Sequence, residues 1–169
     1  DVGGTKIAAG IVTFPEGRVH LRRQIPTRAE RGGDAVLDDV FQLATEIATE
    51  AGQHNFQVKS IGLGVCELVS NAGEIVSANC LPWQSVDVRE GLATIAPTVI
   101  EADVRAAALA EAVFGAGKQS RIFVYVTVGT GISSCLVLDG KPFTGARGVT
   151  GTAASSLLPH LGQPWDSAT

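Results

Sequence analysis

The sequence has little cysteine, no methionine and no long apolar run. Its three cysteines, Cys66, Cys80 and Cys135, are too few for a disulfide scaffold, and their spacing matches no metal-ligand motif. The sequence therefore predicts no structural zinc. The longest apolar stretch, Ile122–Val128, is far shorter than the ~20 residues of a membrane-spanning helix, so we expect no membrane segment.

Charged residues are also sparse. Thirteen Lys and Arg residues against seventeen Asp and Glu residues give a net charge of -4. No basic block is present, so we expect no nucleic-acid partner. Unpaired cysteines and the lack of a leader segment indicate the cytoplasm. The sequence begins at Asp1, inside a motif described below, without an initiator methionine, which predicts a piece of a longer protein.

Apolar residues and glycine are abundant. A hydrophobic fraction of 45%, 20 glycines and a mean hydropathy of +0.23 are typical of an α/β protein with buried strands. Two runs separated by turn residues predict a hairpin of strands over 7–14 and 18–25, and a helix capped by Asp34 follows. Its apolar stripe is Val36, Val40, Leu43 and Ile47. Further strands are predicted over 58–65, 98–101, 122–128 and 132–138, and further helices over 83–95 and 103–114.

The sequence opens on a glycine motif, Asp-Val-Gly-Gly-Thr-Lys. Gly3 and Gly4 allow a tight hairpin that exposes backbone N–H groups, and Thr5 and Lys6 add a hydroxyl and a cation, a combination that suits a polyphosphate. The carboxylate of Asp1 can hold Mg²⁺ through water. The alternative interpretation is an ordinary Gly-Gly turn.

A second glycine motif, Gly129, Thr130 and Gly131, joins the two last predicted strands. Two such hairpins could hold a triphosphate from opposite sides. With both motifs in place, the sequence resembles the ROK family of sugar kinases and sugar-responsive regulators, in the actin, hexokinase and heat-shock-protein ATPase superfamily. The resemblance covers the whole chain, because further family motifs follow in order: Gly62-Leu-Gly64, Asn79 to Trp83, Glu101-Ala-Asp103 and Gly145-Ala-Arg-Gly148.

The resemblance implies a ribonuclease-H-like, actin-like ATPase fold, an α/β mixed sheet with helices on both faces, in two lobes. Residues 1–101 would form the N-terminal lobe, and residues 102–169 would be the truncated start of the C-terminal lobe. It also implies ATP and Mg²⁺ as cofactors, with transfer of the γ-phosphoryl group to a sugar or sugar-like hydroxyl. A homodimer of the full-length protein is compatible with it.

On the acceptor side, Asp103 stands where the family carries its catalytic Asp, a general base. From spacing alone, the alternative for this residue is a helix N-cap. Asn79 and Thr152 fall at sugar-contact positions. Three departures, Ala102, Thr152 and Ser155, replace the Asn, Glu and His that contact the sugar in the family, so the identity of the acceptor stays open.

Two other functions stay open from the sequence. One is a non-catalytic sugar or nucleotide sensor with the same fold, as in the family's regulators. The other is a superfamily kinase that acts on a non-hexose acceptor. In each case the partner would be a small, sugar-like molecule or a nucleotide.

Overall fold

Strands and helices alternate in the computed structural model of the protein, which describes residues 1–83, 87–129 and 132–149. A single 3-10 turn, Ala29–Arg31, precedes the first α-helix. In chain order the elements are β1 (Lys6–Thr13), β2 (Arg18–Pro26), α1 (Gly33–Gln53), β3 (Ile61–Val65), α2 (Val88–Ala93), β4 (Thr98–Ala102), α3 (Asp103–Val113), β5 (Ile122–Val128), β6 (Ile132–Leu138) and β7 (Lys141–Pro142).

Val2 joins two pairs of strands. β1 pairs antiparallel with β2, and β3 pairs parallel with β4. Val2 pairs antiparallel with Ile7 on one side and parallel with Val65 on the other. The Val2 amide donates to the Gly64 carbonyl at 2.8 Å, and the Val2 carbonyl accepts from the Cys66 amide at 3.1 Å. The result is a mixed arrangement in the order β2, β1, Val2, β3, β4, with the Val2 side chain fully buried.

Helix α1 packs on this sheet through its apolar stripe. The helix begins at Gly33 with Gly32 as its N-cap, so the prediction that Asp34 is the cap is wrong. Gly32 has a φ of 92°, in the left-handed region that only glycine adopts readily, and this places the N-cap two residues before Asp34. The buried stripe is the predicted one: Val36, Val40, Leu43 and Ile47.

The helix predicted over 83–95 is shorter in the structure. Helix α2 begins at Val88, because the Asp87 carboxylate caps it by accepting from the Glu90 amide at 2.9 Å. Trp83 lies outside any helix. Its indole N–H donates to the Gly33 carbonyl at 2.9 Å, and its ring is buried in the core.

Helix α3 packs against the second sheet, in which β5, β6 and β7 run antiparallel in that order. Ala108 of α3 and Cys135 and Val137 of β6 are buried in the same core. Helix α3 also contacts β3 and β4, so it connects the two sheets.

The α/β class is confirmed. The predicted boundary after residue 101 falls at the end of β4, and the division into two lobes stays a prediction. Within the described residues, no helix is long and apolar enough to cross a membrane.

We expect the stripe of α1 to carry a large share of the stability. Leu43 is 4% exposed, whereas Leu109 of α3 is 45% exposed. Leu43→Ala should lower the free energy of unfolding by about 2–5 kcal/mol, since it removes apolar contacts and leaves a cavity. Leu109→Ala makes the same change in a helix at the surface and should cost far less. Urea denaturation of both variants checks this, and equal losses would contradict it.

Candidate active site

A cleft of about 420 Å³ is lined by residues of both sheets and of α3. It brings together Asp1 at the start of the first glycine motif, Asp103 at the start of α3, and Thr127 of the strand that leads into the second glycine motif. A second depression, of about 290 Å³ between β2 and α1, is lined by Arg31 and Asp39. Those two side chains form an ion pair with each other, and none of the predicted site residues lies there.

The first glycine motif forms a tight hairpin. The Gly3 amide donates to the Lys6 carbonyl at 2.9 Å and closes the turn. Among the described residues, neither the Gly4 amide nor the Thr5 amide donates to a backbone carbonyl. The Thr5 and Lys6 side chains are exposed. The end of the hairpin therefore presents adjacent N–H groups, a hydroxyl and a cation, which is the geometry expected of a phosphate-binding turn.

Thr27 holds this hairpin, and the sequence analysis did not find it. Its side chain is fully buried, its hydroxyl donates to the Gly3 carbonyl at 2.7 Å, and its amide donates to the Thr5 carbonyl at 3.0 Å. In a trans peptide unit the C=O and N–H groups point in opposite directions. Because Thr27 binds the Gly3 carbonyl, the Gly4 amide of the same peptide unit is directed away from the core.

Gly64 lies against Asp1 and Asp103 in the wall of the cleft. A methyl group added to Gly64 would lie 3.5 Å from Oδ1 of Asp1 and 3.7 Å from the Cα atom of Asp103. A larger side chain would fill the space between these residues. The glycine that the sequence analysis recognised only as part of a motif thus keeps the cleft open. Two carboxylates beside an open space offer the hard oxygen ligands that Mg²⁺ prefers, directly or through its waters.

Asp103 is the first residue of α3. The N-cap is Ala102, which has no side-chain cap, so the N-cap alternative does not describe Asp103. Its Oδ1 accepts from the Val104 amide at 2.6 Å. Burial raises the pKa of Asp103 above its ordinary value, and the hydrogen bond from Val104 only partly offsets this. A raised pKa strengthens this carboxylate as a proton acceptor.

The second glycine motif is described only in part. Among the described residues, no atom lies within 4 Å of where a methyl group on Gly129 would be. Thr127 of β5, two residues earlier, lines the cleft. The predicted site residues Thr130, Gly131 and Thr152 lie outside the described residues.

Glu67 is a buried carboxylate that fixes the segment carrying Asn79. It accepts from the Ser77 hydroxyl and from the amides of Asn79, Cys80 and Leu81, at 2.9, 2.6 and 2.8 Å for the three amides. Burial raises its pKa, but these four hydrogen bonds outweigh burial, so the pKa of Glu67 lies below its ordinary value. The Asn79 side chain is exposed.

This segment lies beside the first glycine motif. A methyl group added to Gly4 would lie 3.7 Å from Sγ of Cys80. Asn79 is therefore next to the residue that contacts the hairpin. Within the described part of the chain, no hydrogen bond joins Asn79 to Asp103. The structure thus brings Asp1, Asp103 and the hairpin together and puts Asn79 on the hairpin side.

Arg105 is another buried side chain that holds loops near the cleft, and the sequence did not predict this role. Its guanidinium is buried and donates from Nε to Glu101 at 2.7 Å, from Nη2 to the Val69 carbonyl at 2.7 Å, and from Nη1 to the Gly148 carbonyl. Two residues after Asp103, it fastens the start of α3 to the loop after β3 and to the glycine-rich stretch after β7. Glu101 is in β4 and Arg105 is in α3, and no local sequence pattern predicts a buried contact across that junction.

One group of side chains resembles a soft-metal site. Ligand atoms of Cys66, Glu67 and Cys80 all lie within 4.8 Å of one another. However, four hydrogen bonds already occupy the oxygens of Glu67, which leaves two thiols, half of a tetrahedral zinc set. We therefore still predict no structural zinc. Elemental analysis of the purified protein checks this, and one zinc ion per chain would contradict it.

Comparison with known proteins places the chain in a family that includes sugar kinases. The family model described as "ROK family" matches residues 1–161. A glucokinase from Streptomyces coelicolor is 32% identical over 156 residues, which cover 88% of this chain and 45% of that protein. An N-acetylmannosamine kinase from Salmonella typhimurium is 31% identical over 167 residues, which cover 95% of this chain and 54% of that protein. The chain therefore spans about half the length of the curated relatives it matches.

A solved structure of a ROK family protein has a similar fold. The ROK family glucokinase from Streptomyces griseus, in complex with glucose and AMPPNP, superposes with a TM-score of 0.78 at 26% identity, over 89% of this chain and 47% of that chain. The predicted actin-like ATPase fold is confirmed. The match covers about half of that solved chain.

Glu67→Gln should destabilise the protein. The variant turns one acceptor oxygen into an NH₂ group that faces two donors, which should cost about 1–3 kcal/mol of unfolding free energy near neutral pH. Glu90→Gln, on an exposed side chain of α2, is the matched control and should change little. Denaturant titration measures both.

The effect of Glu67→Gln on stability should depend on pH. Folding lowers the pKa of the Glu67 carboxyl. The contribution of this carboxylate to the free energy of unfolding is therefore fully present above its pKa in the unfolded chain, about 4.3, and is lost as the pH falls through its lower pKa in the folded protein. The stability difference between the unsubstituted protein and Glu67→Gln should therefore narrow in acid. A difference that stays constant below about pH 4 would argue against the role of the carboxylate charge.

Proposed function

The chain belongs to the ROK family, and on that premise we propose that the protein carrying it is an ATP-dependent carbohydrate kinase. It would transfer the γ-phosphoryl group of Mg–ATP to a hydroxyl of a sugar or sugar-like acceptor. The observation that carries this proposal is the cleft that Asp1, Asp103 and Thr127 line together.

The nucleotide half of the site is built from the two glycine hairpins. The Gly4 and Thr5 amides would bind phosphate oxygens, supported by the hydroxyl of Thr5 and the charge of Lys6. Gly129, Thr130 and Gly131 would bind the phosphates from the second sheet. Since phosphoryl transfer depends mainly on positioning and on neutralising charge, donors fixed in advance are what the chemistry requires.

Asp1 would hold Mg²⁺ through water. Asp1 lines the cleft, whose volume of about 420 Å³ leaves room for a hydrated ion. When bound, the ion would offset negative charge on the phosphates. The protein's part is to fix the Asp1 carboxylate next to the hairpin, which the pairing of Val2 on both sides achieves.

Asp103 would act as the general base. Its carboxylate would accept the proton of the acceptor hydroxyl as that oxygen attacks the γ-phosphorus, and ADP would leave. The cleft position and the raised pKa both support this role. Asn79 and Thr152 would contact the acceptor, with the backbone of Asn79 fixed by Glu67.

The proposal does not specify which sugar or sugar-like molecule is the acceptor. The named relatives act on glucose in one case and N-acetylmannosamine in the other. Ala102 has no side-chain polar group to offer beside Asp103, which distinguishes this site from the family pattern. A non-catalytic sensor and a kinase for a non-hexose acceptor are therefore the alternative functions. A cytoplasmic location and a homodimer of the full-length protein are further parts of the proposal.

The nucleotide assignment predicts the effect of Gly4→Val and Gly129→Val. Neither site is crowded in the structure, since a methyl group meets only Cys80 at 3.7 Å in the first and nothing in the second. Both variants should therefore fold. A side chain that blocks one charged hydrogen bond to phosphate should weaken ATP binding about tenfold or more.

Calorimetry on the full-length protein measures these affinities. Gly52→Val, at another open glycine near the end of α1, is the matched control and should leave ATP affinity unchanged. Unchanged affinity in both hairpin variants would overturn the nucleotide assignment.

The catalytic assignment predicts the effect of Asp103→Asn. The side chain keeps its shape but cannot accept the proton, so ATP should still bind while phosphoryl transfer falls by ~10²–10⁴. Because burial raises the pKa of Asp103, the transfer rate should increase with pH through a value above the ~3.9 of a free aspartate. Asp87→Asn, which keeps the cap of α2, should retain activity.

A coupled assay for ADP release over hexoses, amino sugars and polyols separates the alternatives. A kinase turns over one of these acceptors and loses turnover in Asp103→Asn. A sensor shows no turnover before or after the substitution, while still binding a ligand. Turnover in Asp103→Asn equal to that of the unsubstituted protein would refute the general base.

A further inference from the structure

Two thiols lie together under the first glycine hairpin. The sulfur atoms of Cys66 and Cys80 are within 4.8 Å of each other, although the residues are separated by a loop. Cys80 is exposed and Cys66 is half-buried. The third cysteine, Cys135, is buried in β6 under α3. The chain therefore holds one close thiol pair with a solvent-facing member, and one isolated thiol.

The Cys80 sulfur and the Cys66 backbone both lie against the first glycine motif. Cys66 directly follows β3, and its amide donates to the Val2 carbonyl at 3.1 Å. Sγ of Cys80 faces Gly4, 3.7 Å from where a methyl group on that residue would lie. The Cys80 amide is held by Glu67 at 2.6 Å. Any change in the bonding of these sulfurs therefore acts on the peptide units that present the Gly4 and Thr5 amides.

We propose that Cys66 and Cys80 are a modification site at which a peroxide converts the two thiols into a disulfide beside the hairpin. The mechanism and the proposed function of the site assign no role to either thiol. The oxygens of Glu67 are occupied by four donors, so the pair is free for this chemistry and is not a ligand set.

The chemistry proceeds in two balanced steps. The exposed Cys80 sulfur attacks one oxygen of hydrogen peroxide, the O–O bond breaks, and Cys80 sulfenic acid and water form. The Cys66 sulfur then attacks the Cys80 sulfur, the S–OH bond breaks, and the Cys66 proton leaves with the hydroxyl as a second water. The two sulfurs together lose two electrons, and the peroxide gains them. Burial raises the pKa of the Cys66 thiol, which assigns the first attack to Cys80.

The disulfide should affect nucleotide binding. A bond of about 2.05 Å requires Cys80 to move toward Cys66, which changes the contact with Gly4 and the orientation of the neighbouring amides. We expect ATP affinity to fall about tenfold or more, the loss of one charged hydrogen bond. This second effect rests on the proposed function, whereas the disulfide itself does not.

The experiment treats the reduced full-length protein with hydrogen peroxide, alkylates the remaining thiols and maps the peptides by mass spectrometry. The expected product is a Cys66–Cys80 cross-link within one chain, with Cys135 still alkylated, and a thiol reductant should reverse it. This map needs no variant, so it does not depend on how a substitution folds.

Two variants test the order of attack. In Cys66→Ser, Cys80 sulfenic acid has no partner and should be trapped by dimedone, whereas the unsubstituted protein should show little trapping. Cys135→Ser leaves the pair intact and should behave like the unsubstituted protein. Cross-links between two chains, equal dimedone trapping with and without Cys66, or no cross-link would each overturn the proposal.

Calorimetry with ATP before and after peroxide separates the two proposals. Reduced protein that does not bind ATP, with the cross-link formed, contradicts the proposed function and leaves the modification site standing. Reduced protein that binds ATP, with no cross-link formed, contradicts the modification site alone. Unchanged ATP affinity in fully cross-linked protein contradicts the effect on the hairpin.

Discussion

The backbone pairing of Val2 is the interaction on which the rest of the site depends. Val2 lies between Ile7 of β1 and Val65 of β3. Its own amide and carbonyl bond on the β3 side, to Gly64 and Cys66, whereas the hydrogen bonds to β1 come from its neighbours Asp1 and Gly3. This pairing fixes the start of the chain in the middle of a sheet. It also fixes Asp1 beside Gly64 and forces the next four residues into a tight turn. The carboxylate and the exposed amides of the first glycine motif are therefore placed by the sheet and not by a loop.

Three buried polar side chains hold the irregular segments around the cleft. Thr27 binds the hairpin, Glu67 binds the segment through Leu81, and Arg105 binds the loops at Val69 and Gly148. Loops near a cleft lack partners in a sheet, so their backbone groups need side chains as partners. Among the described residues, no buried side-chain nitrogen or oxygen lacks a hydrogen bond. The walls of the site are thus fixed before any ligand arrives.

The number of hydrogen-bond donors around each carboxylate explains why the pKa values of Glu67 and Asp103 shift in opposite directions. Glu67 is surrounded by donors, which lowers its pKa and keeps it charged as a structural group. Asp103 has one backbone donor and is partly removed from water, which raises its pKa. Two acidic side chains near one cleft therefore have opposite properties, one suited to holding backbone and the other to accepting a proton.

The sequence predicted the α/β class, the stripe of α1, the two hairpins and the first glycine motif, because strand alternation, helical spacing and paired glycines are local signals. For Asp103 the sequence offered only the family resemblance, since spacing alone favoured a helix N-cap. It misplaced the starts of α1 and α2, since a glycine conformation at Gly32 and a capping carboxylate at Asp87 decide those positions. Only the tertiary structure decided the rest. It revealed that Thr27, Glu67 and Arg105 hold the irregular segments, packed Gly64 against Asp1 and Asp103, and placed Cys66 next to Cys80. Such contacts join residues far apart in the chain, and the burial that gives them their strength exists only once the sheets and α3 have packed.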